Sequence, residues 1–185
     1  MSTFAEDLLE QARHLSERDR RRPRQANLRR AVSAAYYGLF HLLVADASEF
    51  VVDAKPESRG LRHLVARSFD HGSMKSACKA LTPQQPKAFL VDWWKHFELD
   101  QIGATPSPTV AKLSHVARTF VNLQEERHRA DYDISRPFTR LETQALIQRV
   151  EAAFADWRDV RAGAPDLARF FALCLLLWKQ WEKRQ

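Results

Sequence analysis

An all-α fold, an antiparallel bundle of four to five principal helices, is what this sequence predicts. Three observations carry that expectation. Chain-breaking residues are scarce, with 5 glycines and 8 prolines in 185 residues, and the prolines fall mostly in clusters. Apolar residues recur over long stretches at the 3.6-residue period of a helix. No stretch shows the strict alternation of a half-buried strand. With 45% hydrophobic and 28% charged residues the composition is that of a globular chain, and its length suits a single domain spanning residues 1–185.

The first helix is expected from about Phe4 to Arg18, with Phe4, Leu8, Leu9, Ala12 and Leu15 on one face. Pro23 breaks the chain, because proline disfavours a helical conformation in the residue before it. The second helix runs from about Gln25 to Ala47, where Leu28, Val32, Ala35, Leu39 and Leu43 form a stripe that Tyr36 and Leu42 widen. Val51 to Gly60 reads as a loop. Short helices follow at about Leu61–Phe69 and Ser73–Leu81, a connection at Thr82–Pro86, a further short helix at about Ala88–Phe97, and a loop from Ile102 to Pro108. A long helix spans Thr109 to about Asp133 on the stripe Leu113, Val116, Phe120, Leu123. Thr139 with Glu142 three residues on is a capping-box pattern. The helix it opens reaches about Arg161 through Leu141, Ala145, Ile147, Val150, Phe154 and Trp157. Gly163 and Pro165 separate it from the last helix, Asp166–Lys183.

The centre of that last helix is apolar nearly all round: Leu167, Phe170, Phe171, Leu173, Cys174, Leu175, Leu177, Trp178 and Trp181. One domain of this size is not expected to cover all of it, which predicts a homodimer interface. The stretch is too short for a bilayer and carries Arg169, so no membrane span is expected. The first residues lack a basic region followed by an apolar run, so no secretory signal is read and the cytoplasm is the default compartment. Cys78 and Cys174 give no disulfide framework, and Cys174 reads as a buried thiol. The 7 histidines are scattered without helical zinc-site spacing, and neither a glycine-rich phosphate loop nor a nucleophile turn is present, so no metal and no cofactor are expected.

The net charge of +6 is local. Eight arginines between Arg13 and Arg30 stand against Glu17 and Asp19, and the rest of the chain balances. Arg20, Arg21, Arg22 and Arg24 form the densest part. Such a patch fits phosphate contacts to nucleic acid or an acidic partner. A solvated face around a helix–helix turn is the other reading.

Two segments hold the candidate chemistry. In the second helix, Ala31, Ser33, Ala34, Ala35 and Gly38 permit close approach of another helix. Arg30, Tyr37 and His41 form a polar edge beside the apolar stripe. In the long helix the stripe continues to Arg127, a charge where an apolar residue is expected. Burying it alone is costly, so it needs a partner, and Asp131 at four residues along supplies one. Either Arg127 is a phosphate contact held by Asp131, or the two are a structural ion pair.

The run Ala34-Ala35-Tyr36-Tyr37-Gly38-Leu39-Phe40-His41, followed later by Arg127-x-x-Ala130-Asp131-Tyr132, resembles the HEPN superfamily, in particular its bacterial branch with a paired-tyrosine helix and an Arg-x-x-Ala-Asp-Tyr motif. The resemblance spans about residues 5–160 and leaves the apolar helix 166–183 to pack on that core or in a dimer. It implies a helical bundle, commonly dimeric, tied to RNA cleavage in toxin–antitoxin or phage-defence systems, with a cognate antitoxin or nucleotidyltransferase-type protein as partner. Catalytic members carry an arginine followed after four to six residues by a histidine and cleave RNA without metal. This chain departs from that pattern: His128 follows Arg127 directly, and adjacent helical residues point about 100° apart. A substitute constellation joins Arg127 with His41 and Asp131, with Tyr37, Tyr132, His128 and Arg30 as substrate contacts. The alternative is a non-catalytic helical interaction and dimerisation module.

Overall fold

The computed structural model describes residues 3–19, 21–81, 95–96 and 107–183. Among them are seven α-helices and no strand, so the chain is an all-α helical protein. The helices are α1 Phe4–Glu17, α2 Gln25–Val51, α3 Arg59–Ala66, α4 His71–Ala80, α5 Pro108–Tyr132, α6 Arg140–Gly163 and α7 Pro165–Glu182, with a 3₁₀ turn at Pro56–Ser58. No described helix is long and apolar enough to cross a membrane. The helix expected at Ala88–Phe97 with Trp93 and Trp94, the connection at residues 82–86 and most of the loop before Pro108 lie outside the described residues.

The chain divides into two compact units. The first holds Met1–Leu42 and Thr119–Ala155, the second Leu43–Arg118 and Asp156–Gln185. In the first unit α1 opens with a capping box. The Thr3 hydroxyl accepts from the Glu6 amide at 3.3 Å and the Glu6 carboxylate from the Thr3 amide at 2.7 Å. Its buried face is Ala5, Leu9, Ala12 and Ser16, rotated from the expected one. Phe4 stands 62% exposed. The backbone of α1 passes close to α2 at Gly38 through the Ala5 carbonyl and the Leu9 nitrogen, and Ala5 and Leu9 take the inward positions there. The stripe of α2 is buried as expected, and Tyr36 and Phe120 meet at 5.6 Å between ring centroids.

The box at Thr139 forms as its spacing predicts, with the Glu142 carboxylate 2.9 Å from the Thr139 amide and the Thr139 hydroxyl 3.2 Å from the Glu142 amide. Leu141 and Ala145, expected on the core face of α6, are exposed instead, and Thr143 and Leu146 take the inward positions. The Thr143 hydroxyl, buried beside them, donates to the Thr139 carbonyl at 2.8 Å, so an inward polar residue costs little here. Thr139→Ala is expected to lower stability by about 1 kcal/mol in urea unfolding, with Thr139→Ser near wild type. An alanine variant as stable as wild type contradicts the cap's role.

In the second unit α2 continues past its expected end to Val51. The buried Asp46 accepts from the Trp157 indole at 2.7 Å and pairs with Arg161, which also reaches Glu49 at 2.7 Å and lies 5.5 Å from the Phe50 ring centroid. Those partners sit at positions 46, 49 and 50 and hold the last turns of α2 helical. Gly60, expected in a loop, lies in the first turn of α3. Asp70 caps α4 by accepting from the Gly72 and Ser73 amides, both at 2.9 Å, so α4 starts before the expected Ser73.

Helix α7 packs along α4. Leu167, Phe170, Phe171, Cys174, Leu175 and Trp178 are buried within one chain, while Leu173 is exposed and Leu177 and Trp181 are half-buried. One chain thus covers most of the apolar surface of this helix and leaves part of it, at Leu173 and Leu177, open or half-open. Both cysteines are free and buried, and burial pushes their thiols well above the ordinary value.

Candidate functional site

The predicted polar edge of α2 and the charged end of α5 meet within the first unit. Arg127 donates through Nη2 to the Tyr37 hydroxyl at 3.0 Å, and its guanidinium lies 5.5 Å from the Tyr37 ring centroid. Its Nε is 2.7 Å from an Asp131 carboxylate oxygen. This contact is an ion pair rather than an aligned hydrogen bond, since Nε is buried without a hydrogen-bonding partner. Asp131 also accepts from the Ser33 hydroxyl at 2.8 Å. Arg127 is thus gripped from α2 by Tyr37 and from its own helix by Asp131, which Ser33 in turn orients. The spacing explains the match: Ser33 and Tyr37 are four apart on α2, as Asp131 and Arg127 are on α5.

The Arg127 side chain keeps 24% exposure and that of Asp131 21%. Nη1 makes no hydrogen bond among the described residues. The exposed face of the site is aromatic. Tyr132 is 66% exposed, its ring lies 4.9 Å from that of His128, and the Arg127 guanidinium is 6.0 Å from the Tyr132 centroid.

His41 sits one turn beyond Tyr37, with ring centroids 6.3 Å apart. Phe4 and Phe40 approach it edge-on at 5.0 and 5.2 Å, and burial holds its pKa below the ordinary histidine value. No hydrogen bond, ion pair or ring contact joins His41 to Arg127. Tyr37 touches both.

Arg29, counted in the sequence as one more cation of the patch, has a structural task. Its guanidinium donates to the carbonyls of Ala130 at 2.9 Å, Arg129 at 3.3 Å and Arg136 at 2.8 Å, closing the C-terminus of α5 from α2. Phe138 lies between Arg29 at 5.6 Å and Arg136 at 5.7 Å. The Gln25 side chain pairs both ways with the Phe138 backbone at 2.7 and 2.8 Å. Residue type alone does not separate an arginine that caps a helix from one that faces solvent, because both leave the same mark in the sequence.

The remaining arginines divide further. Arg13 pairs with Glu151, and Arg24 with Asp19 at 3.5 Å. The Asp19 carboxylate accepts from Asn27 at 2.6 Å and from the Arg24 amide at 3.2 Å, and the Asn27 bond foremost holds its pKa low. Arg21, Arg22 and Arg30 are exposed without an ion-pair partner among the described residues, and Arg20 lies outside them. Arg140 donates to the Asp19 carbonyl, so the arginine turn and the α5–α6 connection stand at the same end of the first unit.

Among the described residues no three histidine, cysteine, aspartate or glutamate side chains gather in a way that could hold a metal ion. A cavity of about 310 Å³ in the second unit is lined by His96 and the first turns of α5 and α7, and it includes none of the predicted site residues. Comparisons of the chain with protein-family models, with curated proteins and with solved structures found no match.

Proposed function

We propose that this chain is a HEPN-like, RNA-associated cytoplasmic protein of a toxin–antitoxin or phage-defence system, contacting a backbone phosphate through Arg127. One observation carries the reading. Arg127 is oriented from two sides by Tyr37 and Asp131 and keeps 24% of its side chain exposed, in the unit that also holds the exposed Arg21, Arg22 and Arg30. A guanidinium fixed before the ligand arrives loses less entropy on binding and matches phosphate geometry. A metal-independent ribonuclease needs a proton-transferring group beside that guanidinium as well. No histidine contacts Arg127, so the reading is of RNA binding, with turnover through His41 as the stronger form to be tested.

The second reading is a non-catalytic interaction module that partners a nucleotidyltransferase-type or other defence protein. It is favoured by the ion pair with Asp131, which already neutralises Arg127. In this reading Leu173, exposed, and Leu177, half-buried, offer an apolar face on α7 for a homodimer.

Titrating the protein against labelled RNA in EDTA, with gel analysis of the same RNA for cleavage, separates the two. Arg127→Ala is expected to weaken binding about tenfold, the worth of one charge-assisted hydrogen bond. Cleavage lost in both Arg127→Ala and His41→Ala establishes a divergent nuclease. Wild-type protein that binds no RNA sinks the RNA reading and leaves the interaction module.

A further inference from the structure

We infer that the His128–Tyr132 pair is a nucleobase shelf, taking one unpaired base of an RNA strand whose adjacent phosphate lies on Arg127. This rests on the RNA reading above and adds to it a contact with the base. Three observations support it.

Tyr132 is the last residue of α5, and its ring remains 66% exposed although His128 leans on it at 4.9 Å. Most of that ring surface is open to a ligand, and the contacts it makes within the chain are with His128 and the Arg127 guanidinium. The two rings stand one helical turn apart and are tilted by 49°, so the exposed Tyr132 ring is the stacking surface and His128 supports its edge.

The cation beside that face is fixed. Arg127 lies 6.0 Å from the Tyr132 centroid while Tyr37 and Asp131 hold its guanidinium. An exposed ring with a positioned arginine next to it is the arrangement by which proteins hold single strands. The ring stacks the base and the guanidinium meets the phosphate. A paired base within a duplex has no free face to offer such a shelf.

The carboxylates nearby are all occupied. Asp131 is held by Arg127 and Ser33, Asp133 accepts from the Ser135 amide and hydroxyl, and Glu126 holds Arg129 at 2.6 Å and Arg136 at 3.5 Å. Arg21, Arg22 and Arg30, exposed without an ion-pair partner among the described residues, add positive charge in the same unit. Stacking supplies a sequence-tolerant contact there, and the arginine turn supplies the long-range attraction.

The test is fluorescence anisotropy with an oligoadenylate RNA of about twelve nucleotides, single-stranded or annealed to its complement. Tyr132→Ala is expected to weaken single-strand binding about tenfold, and Tyr132→Phe to rescue most of that loss, because the ring and not the hydroxyl does the stacking. The same oligomer with abasic sugars should bind the wild type about as weakly as the intact RNA binds Tyr132→Ala. Arg127→Ala should weaken intact and abasic RNA by similar factors. If wild type and Tyr132→Ala bind alike while Arg127→Ala is weakened, the shelf is wrong and the phosphate contact stands. Equal affinity for duplex and single strand also overturns the shelf. If no RNA binds the wild type at all, both readings fall together.

Discussion

Asp46→Ala is expected to destabilise the folded chain by about 3 kcal/mol, mostly through what the aspartate leaves behind. Trp157 is fully buried, and its indole N–H has the Asp46 carboxylate as acceptor at 2.7 Å. Without it a buried donor goes unsatisfied, at about 1–3 kcal/mol. Arg161 loses the nearer of its two carboxylates, and because its side chain is 38% exposed, that loss is softened by water. For a chain of this length the sum corresponds to a fall in Tm of roughly 6–12 °C. Asp46→Asn keeps an oxygen for the indole and should lose less than half as much. Thermal and urea unfolding of the three proteins decide it, and a loss below about 1 kcal/mol for the alanine variant shows that water replaces the carboxylate.

The same residue gives a pH dependence with a definite sign. Burial raises the Asp46 pKa above its ordinary 3.8, although the Arg161 charge and the Trp157 and Arg161 hydrogen bonds pull the other way. The folded chain then holds that proton more tightly than the unfolded chain does. The contribution of Asp46 is most favourable below 3.8 and declines as pH rises through the folded value. Relative to Asp46→Asn, the wild type should therefore lose stability over that interval. A wild type that gains on the asparagine variant as pH rises contradicts the sign.

Asp46 also marks where sequence reasoning stops. The helices declare themselves through apolar period and caps. Leu28, Val32, Ala35, Leu39 and Leu43 fall on the buried face of α2, and Thr139 with Glu142 starts α6 where the pattern places it. What the period does not encode is the partner of each face. Phe4 and Leu141 fit their helical stripes as well as any residue, yet both are exposed, because a neighbouring helix covers only part of an apolar arc. Polar residues are harder still. Asp46, Ser33 and Arg29 look solvent-facing by type, and each takes its role from a residue on another helix. The site was half legible for the same reason. Arg127 announced itself by interrupting an apolar stripe, and Asp131 by its spacing. That Tyr37 meets them follows from the pairing of α2 with α5, which only tertiary structure fixes. His41, placed beside Arg127 on chemical type alone, contacts Tyr37, Phe4 and Phe40 instead.

Gly38 ties that packing to the site, and Gly38→Val should cost about 3 kcal/mol. A Cβ at this position meets the Ala5 carbonyl oxygen at 3.2 Å, the Leu9 nitrogen at 3.6 Å and the Phe154 ring at 3.7 Å. The first two are backbone atoms of α1, so they yield only if the helix moves. Alanine asks for a few tenths of an ångström and returns about 1 kcal/mol of helix propensity, which leaves Gly38→Ala within about 1 kcal/mol of wild type. Valine adds two γ-carbons against the same backbone, and α1 must lift from α2. The consequence reaches His41, because Phe4 at the start of α1 covers its ring at 5.0 Å. Burial is what holds the His41 pKa down, so lifting α1 should let it rise back toward the ordinary 6.5. NMR titration of the histidine ring protons reads this directly, and unfolding in urea reads the stability. A destabilised Gly38→Val with an unmoved His41 titration means that α1 adjusts locally at Ala5 and Leu9 while Phe4 stays seated. A valine variant as stable as the alanine one means that the close approach of α1 to α2 at Gly38 contributes nothing to the fold.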